Sequence, residues 1–340
     1  MRRLPIFLVI DVSESMAGKA IDDVQYGIKM LTDALVSNPF AMETVYISVI
    51  AFAGKAKTIT PLTYVMDFIP PKLPIGCGTN LSDALKVLMC EIDTKVKKNT
   101  PETKGDWKPL IFILTDGIPN DNYKSAAAAQ WKMNYGKYST IAVLMGENSD
   151  ATALKAITDD VLVFKETTQE SYYAFFKWVS SSIQTSSKEM GEYGKEGNAS
   201  NIEKFRKNLD ADLLADNLPI ENNVDFLVLT VRCQKTKKPY IVRYVSHNRS
   251  GIYMADGAYP VGEDYFELSS TEVGKNISSR QLTGVTPSCP HCNNPGFGHC
   301  NCDKWLCLDQ EHLKNVTCPF CESTADYGNY DEFHFNGGRG

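Results

Sequence analysis

The stretch Leu4-Pro5-Ile6-Phe7-Leu8-Val9-Ile10-Asp11-Val12-Ser13-Glu14-Ser15 decides the fold of the N-terminal half. Its first part is a near-continuous apolar run. That is the pattern of a strand buried on both faces of a parallel sheet, since a half-exposed strand would alternate. The run stops at a carboxylate, and Asp11, Ser13 and Ser15 then alternate. In a short extended turn this spacing aims all three oxygens the same way. Ligands of open α/β sheets bind beyond the carboxyl ends of the strands, and Asp11 stands at one such end.

Working outward, the same kind of run recurs between helical patterns. Thr44 to Phe52, Ala56 to Leu62, Leu110 to Thr115, Thr140 to Met145 and Val161 to Phe164 read as strands. Ile21 to Leu35, Leu81 to Val96, Asn122 to Tyr135 and Gln169 to Ile183 carry apolar residues at helical spacing. Alternating strands and helices predict a three-layer α/β domain with a mostly parallel sheet over residues 1–186. Polar, glycine-bearing sequence then predicts a linker at 187–212. Residues 213–285 read as a β-rich spacer, with strands at Asp225 to Cys233, Pro239 to Val245, Gly251 to Met254 and Tyr265 to Leu268. A cysteine-rich module follows at 286–326, and a flexible tail at 327–340. The expected fold class is therefore α/β, followed by a small β-rich domain that ends in a zinc-ribbon-like module.

Length and charge agree with this division. A chain of 340 residues is too long for one comfortable core and predicts about two domains. A net charge of -6 argues against a broad nucleic-acid footprint, which needs a basic face. Met1-Arg2-Arg3 ahead of an apolar run imitates a secretion leader, but the run ends at Asp11 with no small-residue cleavage site. No later run approaches the ~20 apolar residues of a membrane span. The expectation is a soluble cytoplasmic protein.

Two further loops extend the first site. Gly76-Cys77-Gly78-Thr79-Asn80 precedes a helix, and its glycines let the backbone turn sharply enough to bring Thr79 inward. Thr115-Asp116-Gly117 ends another buried strand. Asp11, Ser13, Ser15, Thr79 and Asp116 together supply two carboxylates and three hydroxyls, hard oxygen ligands suited to Mg²⁺ or Mn²⁺. Taken singly, each loop is ordinary: an Asp-x-Ser-x-Ser segment caps helices well, and Thr-Asp-Gly is a common turn. Their order on alternating strands is what points to a metal. No histidine precedes His247, so Ser13 and Ser15 have no base partner nearby in sequence, and the site reads as a binding device rather than an enzyme centre.

The second site is made of sulfur. Seven of the ten cysteines lie between Cys289 and Cys321, while Cys77, Cys90 and Cys233 are scattered. Cys289-Pro290-His291-Cys292 and Cys318-Pro319-Phe320-Cys321 are two C-P-x-C knuckles. The main zinc site expected is Cys289, Cys292, Cys318 and Cys321. Cys300, Cys302 and Cys307 with His299 or His312 supply a possible second zinc site; the plain alternative is that these cysteines are buried apolar residues. Across 286–322 only Lys304 and Lys314 oppose Asp303, Asp309, Glu311 and Glu322, which disfavours phosphate binding.

Asp-x-Ser-x-Ser, a glycine-flanked threonine and Thr-Asp-Gly, in this order, resemble the complete metal-ion-dependent adhesion site of von Willebrand factor A domains. That resemblance implies a cation held partly through water, with its last position filled by a partner's carboxylate. Glu14 stands where that family commonly has glycine, and the extra acid bears on cation affinity or on partner preference. With the segments 230–244 (TVRCQKTKKPYIVRY), 257–268 (GAYPVGEDYFEL) and 281–285 (QLTGV) ahead of the cysteines, the whole chain resembles the TerY-like family of bacterial tellurium-resistance and stress-response systems. The resemblance implies a non-enzymatic adaptor that scaffolds a protein kinase and a 2C-type phosphatase and binds an acidic or phosphorylated protein ligand, with no nucleic acid and no membrane. The competing readings are a RING-like ubiquitin-ligase module, an A-domain subunit of an ATPase-driven chelatase or chaperone, and a nucleic-acid-binding ribbon.

Overall fold

A computed structural model describes residues 2–116, 119, 125–145, 151–166, 168–193, 224–247, 250–270, 274–328 and 332–338. It divides into two compact units. The first comprises residues 1–12, 18–73 and 79–222; the second comprises 223–340 together with two short earlier loops, Ser13–Ala17 and Pro74–Gly78.

The first unit is built on six strands: β1 (Leu4–Asp11), β2 (Val45–Phe52), β3 (Ala56–Tyr64), β4 (Leu110–Thr115), β5 (Ser139–Met145) and β6 (Val161–Phe164). Their order in the sheet is β3-β2-β1-β4-β5-β6. All neighbours are parallel except the β2–β3 hairpin. Every residue of β1, β4 and β6 is buried, so these strands read as apolar runs because both of their faces are covered.

Helices α1 (Lys19–Val36), α2 (Pro39–Thr44), α3 (Leu81–Lys95), α4 (Ala126–Tyr135), α5 (Thr152–Lys155) and α6 (Gln169–Tyr193) complete the layers. Alternate strand residues point to opposite faces. Phe7, Val9, Ile111 and Ile113 pack with Leu85 and Leu88 of α3 and Trp131 of α4. On the other face, Phe112 meets Trp178 of α6 edge-on at 6.0 Å between ring centroids. Gly27 of α1 lies against Phe176 of α6, where a Cβ would stand 2.0 Å from Phe176 Cδ2. Helix α6 runs through the first part of the expected linker, as far as Tyr193; the rest of that linker lies outside the described residues. No helix among the described residues is long and apolar enough to cross a membrane.

The second unit holds β7 (Val224–Arg232), β8 (Pro239–His247), β9 (Tyr253–Pro260), β10 (Lys275–Ser278), β11 (Leu282–Thr283), β12 (Gly296–Cys300), β13 (Lys304–Leu308), β14 (Val316–Thr317), β15 (Thr324–Ala325) and β16 (His334–Gly337). Its main sheet has the order β11-β9-β8-β7-β13-β12. The β13 strand of the cysteine-rich segment pairs in parallel with β7, so the spacer (213–285) and the module (286–326), read separately in the sequence, share one sheet. The strand expected at Tyr265 to Leu268 is instead a short helix, α7 (Asp264–Leu268), whose Tyr265 and Leu268 are buried one turn apart. The expected loose tail contains β16, which pairs with β10 and buries Phe335. The core of this sheet contains Leu227, Leu229, Val231, Tyr240, Trp305 and Phe335, and it also contains Cys233, Cys289 and Cys307.

Candidate metal centres

Asp11 and Asp116 stand at the carboxyl ends of β1 and β4. Asp11 ends β1, is fully buried, and accepts a hydrogen bond from the Thr115 hydroxyl at the end of neighbouring β4. Asp116 follows directly. Both carboxylates act on the Tyr172 phenol of α6: burial first, then Asp116, Asp11 and Asp23, raise its pKa well above the usual value. Thr79 is buried and precedes Asn80, whose backbone N–H donates to Ala53 O at 2.7 Å, just past the end of β2. Asn80 Oδ1 also accepts from Asp83 N at 2.9 Å and so caps α3. Gly78, with φ of 90°, supplies the sharp turn ahead of Thr79.

Within the second unit, Ser13 and Ser15 lie side by side, with Oγ atoms 2.9 Å apart on a single 3-10 turn, Glu14–Met16. Glu14 is fully buried. Its carboxylate accepts a hydrogen bond from Tyr265 Oη. Burial pushes its pKa up to about 7 against the smaller opposing effects of Tyr265, Cys77 and Arg243.

The cysteines group differently from the expected ribbon. Cys289 and Cys292 stand with Cys233 and Cys307; Cys318 and Cys321 stand with Cys300 and Cys302. In each set all four sulfurs lie within 4.8 Å of one another. Sulfurs at the corners of a zinc tetrahedron with Zn–S bonds of ~2.3 Å are separated by ~3.8 Å. The pairs Cys292–Cys307, Cys300–Cys321 and Cys302–Cys318 are at 3.6, 3.7 and 3.8 Å. The donor sets thus fit two four-sulfur zinc ions. His299 and His312 belong to neither group. His299 Nε2 meets Asp303 at 2.9 Å while its ring lies beside Trp305, and His312 Nδ1 faces Asp309 at 3.5 Å. His291, inside the first knuckle, places Nε2 3.0 Å from Pro239 O.

The candidate ligand absent from the sequence reading is Cys233. Strand pairing explains its place: Trp305 and Leu306 oppose Val231 and Arg232, so the next step of that parallel register sets Cys307 beside Cys233. A local signal for it exists in hindsight. The backbone N–H groups of Cys233, Cys289 and Cys318 donate to the carbonyls of Lys238, Asn294 and Ser323. Their carbonyls accept from Lys237, Asn293 and Glu322, all with φ between 60 and 63°. Cys233-Gln-Lys-Thr236 is therefore a third knuckle of the same shape, with Thr236 where the second cysteine would stand. Burial opposes ionisation of Cys233, but hydrogen bonds from Thr236 outweigh it and bring the thiol down to about 7. In the other cluster, burial and the neighbouring sulfurs push Cys302 up to about 12, while the Ser323 hydroxyl brings Cys321 down to about 6. A bound cation is what would let all four sulfurs of a set ionise together. Along the chain the two sets interleave, because Cys307 of the first falls between Cys302 and Cys318 of the second.

Comparison with known proteins agrees with both halves. Residues 6–178 match the von Willebrand factor type A domain, and residues 223–340 match the TerY-C metal binding domain. No curated protein matches the chain. Similar solved structures include proximal thread matrix protein 1 from the mussel byssus, at 18% identity over 53% of this chain and 47% of that one, with a TM-score of 0.40. The SpaC pilus adhesin of Lactobacillus rhamnosus GG is 14% identical over 54% of this chain and 31% of that one, with a TM-score of 0.43. A von Willebrand factor type A protein from Catenulispora acidiphila is 16% identical over 54% of this chain and 43% of that one, with a TM-score of 0.40. The chain spans less than half the length of each of these structures. The chain belongs to the von Willebrand factor type A family and carries a TerY-C metal binding domain after it.

Proposed function

We propose that this protein is a non-enzymatic adaptor whose oxygen-ligand site recruits an acidic or phosphorylated protein through a bridging Mg²⁺ or Mn²⁺. The observation that supports this most is the placement of Asp11 and Asp116 at the carboxyl ends of adjacent central strands, around the buried Tyr172 phenol. Asp11, Ser13, Ser15, Thr79 and Asp116 hold the cation, and a coordination position left to the partner takes its carboxylate or phosphate oxygen. The two cysteine clusters hold zinc as closed structural sites, so zinc contributes folding free energy rather than chemistry. Following the resemblance to TerY-like proteins, the partners are a protein kinase and a 2C-type phosphatase, in the cytoplasm. The test measures binding of a purified kinase and phosphatase of this kind to wild type and to Asp116→Ala, with Mg²⁺ and with EDTA. Loss of binding both in the variant and in EDTA supports the reading; equal binding in all conditions refutes it.

A further inference from the structure

The Ser13–Ala17 loop folds within the same compact unit as residues 223–340, and named side chains hold it there. Arg243 of β8 aims Nη1 at three carbonyl oxygens of this loop: Glu14 O at 3.0 Å, Ser15 O at 2.7 Å and Ala17 O at 3.1 Å. The guanidinium is itself fixed from behind. Its Nε donates to Asp256 at 2.6 Å, and its Nη2 donates to Tyr259 Oη at 3.1 Å. Tyr265 of α7 donates to the buried Glu14 carboxylate. The neighbouring loop, which leads into Thr79, is held in the same way. Cys77 N donates to Ser269 Oγ at 2.9 Å, and Ser270 N donates to Cys77 O at 3.1 Å.

Resting on the cation-site reading above, we propose that Arg243 and Tyr265 are positioning residues for that site, so that cation affinity depends on the fold of the C-terminal metal-binding domain. A five-residue loop with two ligand hydroxyls has many conformations, and binding a cation must select one of them. A guanidinium that meets the carbonyls of Glu14, Ser15 and Ala17 through Nη1 while Asp256 and Tyr259 hold its Nε and Nη2 removes that freedom beforehand, and a lysine, with one nitrogen, cannot make both sets of contacts. Glu14 is then a buried tether and not an additional ligand. Its burial against Tyr265 accounts for an acid where the family commonly carries glycine. Charged hydrogen bonds of this kind, when lost, correspond to roughly tenfold or more in an equilibrium constant.

The experiment titrates Mn²⁺ into wild type, Arg243→Gln, Tyr265→Phe and Asp116→Ala, following free Mn²⁺ by electron paramagnetic resonance, with zinc content measured on each sample. The expected result is Mn²⁺ affinity about tenfold weaker in Arg243→Gln and severalfold weaker in Tyr265→Phe, at unchanged zinc content, with binding abolished in Asp116→Ala. Affinity in Arg243→Gln within twofold of wild type, while Asp116→Ala loses binding, overturns the proposal and leaves the cation site standing. Wild-type affinity in Asp116→Ala removes the cation site and the proposal with it. Should Arg243→Gln lose zinc, Arg243→Lys is judged by the same twofold criterion.

Discussion

Cys233→Ser separates the observed cysteine grouping from the ribbon suggested by the two C-P-x-C knuckles. In the structure Cys233 is fully buried, and its sulfur lies in a set with those of Cys289, Cys292 and Cys307. Two sets of four predict two zinc ions per chain, and the serine variant should keep one. The loss is also energetic. Zinc held by small structural sites contributes ~10–16 kcal/mol of binding free energy, so a buried site reduced to three thiolates should lose on the order of several kcal/mol of it. The remaining core of Leu227, Leu229, Val231 and Trp305 should keep the sheet assembled at room temperature while its unfolding midpoint drops. Plasma mass spectrometry of the purified protein gives the ion count, and cobalt substitution gives the number of thiolate-rich sites from their charge-transfer band. Cys90→Ser is the control, because Cys90 is exposed and joins neither cluster. Two zinc ions retained in Cys233→Ser, with an unfolding midpoint equal to that of Cys90→Ser, would refute the grouping.

A competing chelator should strip zinc in two phases, the Cys300/Cys302/Cys318/Cys321 ion first, because Cys321 is exposed whereas three of the four sulfur residues of the other set are buried. Loss of the fast phase in Cys321→Ser would identify it, and a single phase in wild type would contradict the assignment. Gly27→Ala should lower stability by up to about 2 kcal/mol in urea unfolding: the methyl meets the buried Phe176 ring, and overpacking near the upper end of ~1–3 kcal/mol outweighs the ~1 kcal/mol gained from helix propensity. A stabilised variant would mean that α1 and α6 separate freely. Trp131→Ala should cost ~3–5 kcal/mol by the same assay, because this fully buried ring stacks on Tyr135 at 5.3 Å and nothing nearby can fill its volume.

Much of the first unit was legible in the residues alone. Strands buried on both faces have no polar side to break the run, so Leu4–Asp11, Leu110–Thr115 and Val161–Phe164 fall where their apolar runs do. Asp11 and Asp116 could be placed because each ends such a run, and the rule that ligands gather at strand carboxyl ends needs no knowledge of the packing. Shorter segments were ambiguous. Tyr265 to Leu268 carries apolar residues with a spacing compatible with either a strand or one helical turn, and burial of Tyr265 and Leu268 decided for the turn.

The sequence by itself determined the strand and helix order of the first unit, the oxygen-bearing loops and the two knuckles, because each is a local pattern of a few residues. Tertiary structure alone decided which cysteines stand beside which knuckle. A knuckle presents two sulfurs whatever lies opposite, and the parallel pairing of β7 with β13 brings Cys233 to one of them. It also decided the surroundings of Glu14: the sequence shows an extra acid bearing on cation affinity or partner preference, and only the fold buries that carboxylate against Tyr265, from far along the chain.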